Sequence, residues 1–172
     1  VPWNDMGFWE FAWCMAGRGK YRMRTMPDVI VENPTYLYWA LENEVFVGNA
    51  LQQAELVASR AGHILPPRSA GKGFYFQFDR KGLMRGISVG QKPRSNRGVT
   101  VVRRKHLNLG VVRQLEEKGD STGVRLVRSF VIETYFNGSR NLNPRRAELF
   151  FETDENFSLT CKQGHLLPRS AG

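Results

Sequence analysis

Acidic side chains are missing from an unbroken stretch of this chain. Between positions 80 and 115 there is no aspartate or glutamate, yet the stretch holds Arg80, Lys81, Arg85, Lys92, Arg94, Arg97, Arg103, Arg104, Lys105 and Arg113. Solvated surfaces ordinarily mix both signs, because like charges repel and a one-sign field works against compaction. Such a stretch therefore points to a polyanionic partner. Cysteine is scarce as well: Cys14 and Cys161 alone cannot make a disulfide framework, so free thiols in a reducing compartment are expected. No apolar run approaches the length of a membrane span, so no membrane partner is expected. Val1-Pro2-Trp3 lacks the basic start and apolar run of a signal peptide. The expected setting is cytoplasmic, the host cytoplasm for a viral protein.

What is present argues for a folded protein. A 41% hydrophobic content with 12% aromatic residues is enough for a packed core. The formal charge is +9, and it is unevenly placed: the first 71 residues carry six basic and seven acidic side chains, the remainder nineteen and nine. Asymmetry of this kind fits contact with nucleic acid or an anionic surface.

The first sixteen residues are dense in aromatics (Trp3, Phe8, Trp9, Phe11, Trp13), as expected for an element packed on a core or a docking peptide. Thr25 is a plausible cap for a helix beginning at Met26-Pro27, and Asn33-Pro34 should break it. A second short helix is expected over 35–41 and a longer one over 44–61, closed by Gly62. Pro66-Pro67-Arg68-Ser69-Ala70-Gly71-Lys72-Gly73 has the composition of a linker. Beyond it, β-branched and aromatic runs at 74–78, 83–89, 99–103, 124–136, 147–153 and 157–161 read as strands, with 107–118 as the single helix. Asp120-Ser121-Thr122-Gly123 reads as a loop and Asn137-Gly138-Ser139 as a tight hairpin turn.

The fold class is accordingly α+β, a small helical module followed by a basic antiparallel β-rich domain. The expected division is 1–61 module, 62–73 linker, 74–163 β-rich domain and 164–172 tail. That tail, Gly164-His165-Leu166-Leu167-Pro168-Arg169-Ser170-Ala171-Gly172, nearly repeats Gly62-His63-Ile64-Leu65-Pro66-Pro67-Arg68-Ser69-Ala70-Gly71, and it is too short to be a solenoid repeat.

Three chemistries can be weighed on these residues. Lys92, Arg94 and Arg97 lie on a predicted loop, and Arg103, Arg104 and Lys105 end a predicted strand. Such cations hold phosphates with little sequence information, and neighbours among Phe74, Tyr75, Phe76 and Phe78 could stack on bases. Cys161 and His165 have a ligand-like spacing, but Cys14, His63 and His106 supply no second close pair for zinc, so no metal or cofactor is expected. Carboxylates near Glu148 and Glu152 could hold a divalent cation for nuclease chemistry, a weaker alternative to binding alone.

Gly19-Lys20-Tyr21 and Pro34-x-Tyr36-Leu37-x-Trp39 resemble a small module attached to the C-terminus of exodeoxyribonuclease X-type exonucleases, also found alone in phage and bacterial proteins. The resemblance covers residues 17–61. The family's leading Phe is Arg18 here, and its turn glycine is Met23. The resemblance implies a nucleic-acid-associated accessory module without the nuclease active site. It places Lys20, Tyr21, Arg22 and Arg24 toward nucleic acid and Tyr36, Leu37 and Trp39 in the core. The expected function is nucleic-acid binding, DNA ahead of RNA, in a protein of phage or mobile-element origin. The alternative is an adaptor for a protein partner, such as a host-enzyme inhibitor or virion component.

Overall fold

The computed structural model describes residues 13–14 and 19–158. Trp3, Phe8, Trp9, Phe11, Cys161, His165 and the second copy of the repeated peptide lie outside the described residues. After a 3₁₀ turn at Gly19–Tyr21 come three helices, α1 (Met26–Glu32), α2 (Pro34–Glu42) and α3 (Gly48–Ala61). Three strands follow, β1 (Phe74–Phe78), β2 (Met84–Val89) and β3 (Thr100–Arg104). Three further helices, α4 (Val111–Glu117), α5 (Ser121–Phe136) and α6 (Pro144–Glu152), complete the α+β fold.

The N-terminal helices form where the sequence signals place them. Asn33 ends α1 and caps α2, its side chain accepting the Tyr36 N–H, and Pro34 occupies the first turn where no amide partner is needed. Helix α3 starts at Gly48, four residues later than the periodicity suggests, and Gly62 caps it.

The second half departs from expectation. Positions 124–136 and 147–153 are helical, not extended. Val127, Val131, Ile132 and Phe136 are rich in β-branched and aromatic types, but their spacing lays one buried stripe on α5. Asp120 is the N-cap of that helix rather than a loop residue, and Asn137, in the left-handed conformation at φ 55°, is its C-terminal stop rather than a hairpin turn. In the same way Asn143 caps α6 by accepting the Arg146 N–H. The second half therefore has three helices among the described residues where one was expected; of the strand expected over 157–161, Phe157 makes an isolated bridge and 159–161 lie outside the described residues.

One hydrophobic cluster takes side chains from every helix and from β1 and β2. At its centre Phe150 meets Tyr135, Phe136, Phe151 and Phe157 with ring centroids 5.1–5.5 Å apart, mostly edge to face. The start of the expected linker, 62–73, is bonded into this body. Ile64 is fully buried and exchanges both backbone hydrogen bonds with Leu107, and Tyr135 Oη donates to Leu65 O at 2.6 Å. Burial pushes the Tyr135 phenol well above its usual range, so it stays a donor. Leu37 is buried as expected and Tyr36 half-buried, but Trp39 is 42% exposed on the outer side of α2.

The sheet order is β2-β1-β3, with both outer strands antiparallel to β1. β2 and β3 are therefore parallel to each other, and the connection at 90–99 must return along the full length of the sheet. Its first residue is held by close backbone contact. Gly90 has φ +89°, and a Cβ there would fall onto the Ala70 carbonyl. Gly71, with φ +104°, would reciprocally place a Cβ 2.9 Å from Gly90 Cα. Gly90→Ala is expected to cost about 2 kcal/mol or more, combining left-handed strain with a backbone clash; a denaturant midpoint equal to that of the parent protein would contradict this packing.

Candidate nucleic-acid interface

A strand turns successive side chains to opposite faces. Arg103 and Arg104 are adjacent in sequence, so the sheet separates them. Arg104 sits opposite Phe74 in the row that carries Phe76, Phe78 and Val102; Arg103 sits opposite Tyr75 on the other face, in line with Ser88. Because β3 is an edge strand, both side chains stand at an open border of the sheet. Lys105 follows directly and is exposed. Lys92, Arg94 and Arg97 are exposed along the return connection, which distributes them over the length of the same sheet.

What these six cations lack is a counter-ion. Some arginines elsewhere are neutralised, Arg60 by Asp154, Arg85 by Asp79, and Arg113 by both Glu42 and Glu116, while others such as Arg22, Arg80, Arg125 and Arg128 are not, among the described residues. Among the described residues none of Lys92, Arg94, Arg97, Arg103, Arg104 or Lys105 is within ion-pair distance of a carboxylate. Of the N-terminal candidates, Arg24 is committed to Asp28 and Glu32, bracing α1. Arg22 is exposed, and Lys20 lies 5.2 Å from the centre of the Tyr21 ring. They flank α1, which packs chiefly on α2, α3, α5 and α6, so the two candidate sets belong to different parts of the body.

Two surface carboxylates are tied by arginines of this kind. Asp79 accepts from the Leu83 and Lys81 amides and from Arg85, and these hold its carboxyl below the usual 3.8. Glu42 is held below 4.5 mainly by the Arg113 guanidinium that joins α2 to α4. Each carboxylate favours the folded state when ionised, so its contribution is complete above the unfolded value and fades as pH falls through the folded one. Asp79→Asn is expected to lose less stability than the parent between pH 5 and pH 3 in urea melts; equal losses would show that Asp79 contributes nothing to the acid limb.

Under β3 the sheet opens into a groove of about 470 Å³. Phe76, Phe78 and Val102 form its apolar floor, α4 contributes Val111 and Gln114, and Arg104, Lys105 and His106 line the strand side. The opposite wall is Gly62-His63, the start of the repeated peptide. His63 Nδ1 lies 3.0 Å from Ser59 O; a carbonyl can only accept, so that nitrogen carries a proton and donates. The His63 and His106 rings stand 5.9 Å apart. Asn108 Oδ1 accepts the Gly110 amide, leaving its NH₂ as the donor toward the groove. His63, Asn108 and Gln114 were not among the expected contact residues. Their chain positions, His63 lying some fifty residues before Gln114, carry no common signal.

Glu148 and Glu152 share one face of α6, but both are engaged. Arg145 reaches the two at 3.3 and 3.4 Å, Thr25 Oγ1 donates to Glu148, and Trp13 Nε1 donates to Glu152 at 2.9 Å. No group of three or more His, Cys, Asp or Glu able to hold a metal occurs among the described residues. No described helix is long and apolar enough to cross a membrane. Comparison with protein-family models, curated proteins and solved structures found no match to this chain.

Proposed function

We propose that this protein binds nucleic acid through the β3 edge and the 90–99 connection, holding phosphates with Lys92, Arg94, Arg97, Arg103, Arg104 and Lys105. The observation that carries this reading is the concentration, within residues 92–105 of the β3 edge and the connection leading to it, of six exposed cations that have no carboxylate partner among the described residues. Unneutralised cations gathered around one small sheet raise the local potential, which a polyanion relieves by releasing its condensed counter-ions. The resemblance of 17–61 to a nuclease-associated module points in the same direction. The engagement of Glu148 and Glu152 by Arg145, Thr25 and Trp13 supports binding over cleavage.

Fluorescence anisotropy of labelled DNA and RNA tests the reading, with two double reversals of equal net charge. Arg103→Glu with Arg104→Glu should weaken binding at least tenfold, whereas Arg125→Glu with Arg128→Glu, on the exposed side of α5, should change it less than threefold. Equal effects would reduce the interaction to net charge and remove the site. A protein-binding adaptor is the second reading, favoured by Met23, Trp39, Val45 and Val47, large apolar side chains exposed on the N-terminal helices and turns. A partner captured from host extract after nuclease treatment, and lost with Met23→Ser and Val47→Ser, would support it.

A further inference from the structure

Phosphate contacts alone do not need a groove. From its position and lining we infer that the cavity beneath β3 is a subsite for one unstacked nucleotide of a single strand, its base lying on the Phe78–Val102 floor and its phosphate at Arg104 and Lys105. This rests on the nucleic-acid reading and extends it. Four observations converge. The volume, about 470 Å³, falls in the range of about 300–1,000 Å³ found for small-ligand sites. Its floor is apolar, and Phe78 and Val102 are only half-buried, so they offer surface to a planar ring. Unpaired cations stand at one lip only, so an occupant with a flat apolar part and an anionic part can enter in a single orientation. Finally, Asn108, Gln114 and His63 line the groove and carry hydrogen-bonding groups that a base edge could meet.

A base inside a duplex cannot reach such a floor without leaving its stack, so the subsite favours strand ends and unpaired segments. It also gives the 62–63 wall a role beyond connection: the Ser59–His63 hydrogen bond orients the imidazole, whose ring centre lies 5.9 Å from that of His106.

The test narrows the groove from outside the core. Gln114 is exposed on α4, so Gln114→Trp puts an indole at the mouth without altering a buried position. Three probes are titrated by anisotropy or calorimetry: a 12-nucleotide single strand, the matching duplex, and a 5′-nucleoside monophosphate with ribose 5-phosphate as its baseless control. The inference requires the parent to bind the single strand at least tenfold more tightly than the duplex, and the monophosphate more tightly than ribose 5-phosphate. Gln114→Trp should abolish the monophosphate preference and bring single-strand affinity to the duplex level. Equal single-strand and duplex affinities, unchanged in Gln114→Trp, would overturn the subsite while leaving phosphate binding intact. Absence of binding to every polynucleotide at low salt would overturn the nucleic-acid reading and the subsite with it.

Discussion

Replacing Lys92, Arg94, Arg97, Arg103, Arg104 and Lys105 together by glutamine is expected to lower affinity for a single-stranded oligonucleotide by about 10⁴-fold at 0.1 M salt. The size follows from counter-ion release: each phosphate neutralised on a single strand contributes about 0.7 to the log–log salt slope, so six contribute about four decades between 1 M and 0.1 M. Fold stability should be almost untouched. Lys92, Arg94, Arg97, Arg103, Arg104 and Lys105 are exposed, and none is ion-paired among the described residues. Relief of mutual repulsion should slightly raise the melting temperature. A loss below tenfold would show that contacts elsewhere, Lys20 and Arg22 among them, supply most of the affinity.

Asp120→Ala is expected to destabilise the protein by about 3 kcal/mol. Asp120 is 4% exposed and makes two bonds with its carboxylate: Oδ1 accepts the Gly123 amide at 2.8 Å, and Oδ2 accepts the Met84 amide at 2.7 Å. The first caps α5, a contribution of about 1 kcal/mol. The second joins the start of β2 to that helix, and its loss leaves a buried N–H without a partner, at about 1–3 kcal/mol. Gly123 fits the same junction, since a Cβ there would lie 2.5 Å from the carboxylate. For a chain of this size the melting temperature should fall by about 10 °C. Asp120→Asn keeps one acceptor and should lose about half as much. A change under 1 kcal/mol in Asp120→Ala would mean that solvent satisfies the Met84 amide.

The contrast between what the residues announced and what they hid follows from particular elements. Asn33-Pro34 was legible because a proline in the first helical turn and an asparagine before it have few other uses. Asn143-Pro144 is the same signal, and it was obscured by the apolar run behind it. Leu149, Phe150 and Phe151 can serve a strand or a helix equally, and only the placement of Ala147, Phe150 and Phe151 on the buried side reveals a helix. Helix α5 was misread for a related reason. Val124, Val127, Val131 and Ile132 favour strands as residue types, while their spacing and the Asp120 cap favour a helix, and burial of the stripe decided the outcome. β1, β2 and β3 were legible within a residue because β-branched and aromatic runs are bounded there by glycines and other turn residues. At the interface, the stretch without acidic residues was visible from composition. The division of Arg103 and Arg104 between two faces was not, because it depends on which face the core takes. The groove walls were hidden altogether, since His63, Arg104 and Gln114 meet only through tertiary packing.

The measurement that tests the account most directly is the salt dependence of single-strand binding by the unaltered protein, followed by anisotropy from 50 mM to 500 mM salt. Six phosphate contacts predict a straight log–log plot with a slope of about −4, and a duplex slope nearer −5. A slope between 0 and −1, at whatever affinity, would show that the cations of the β3 edge are not contacting phosphates and would contradict the reading built on them.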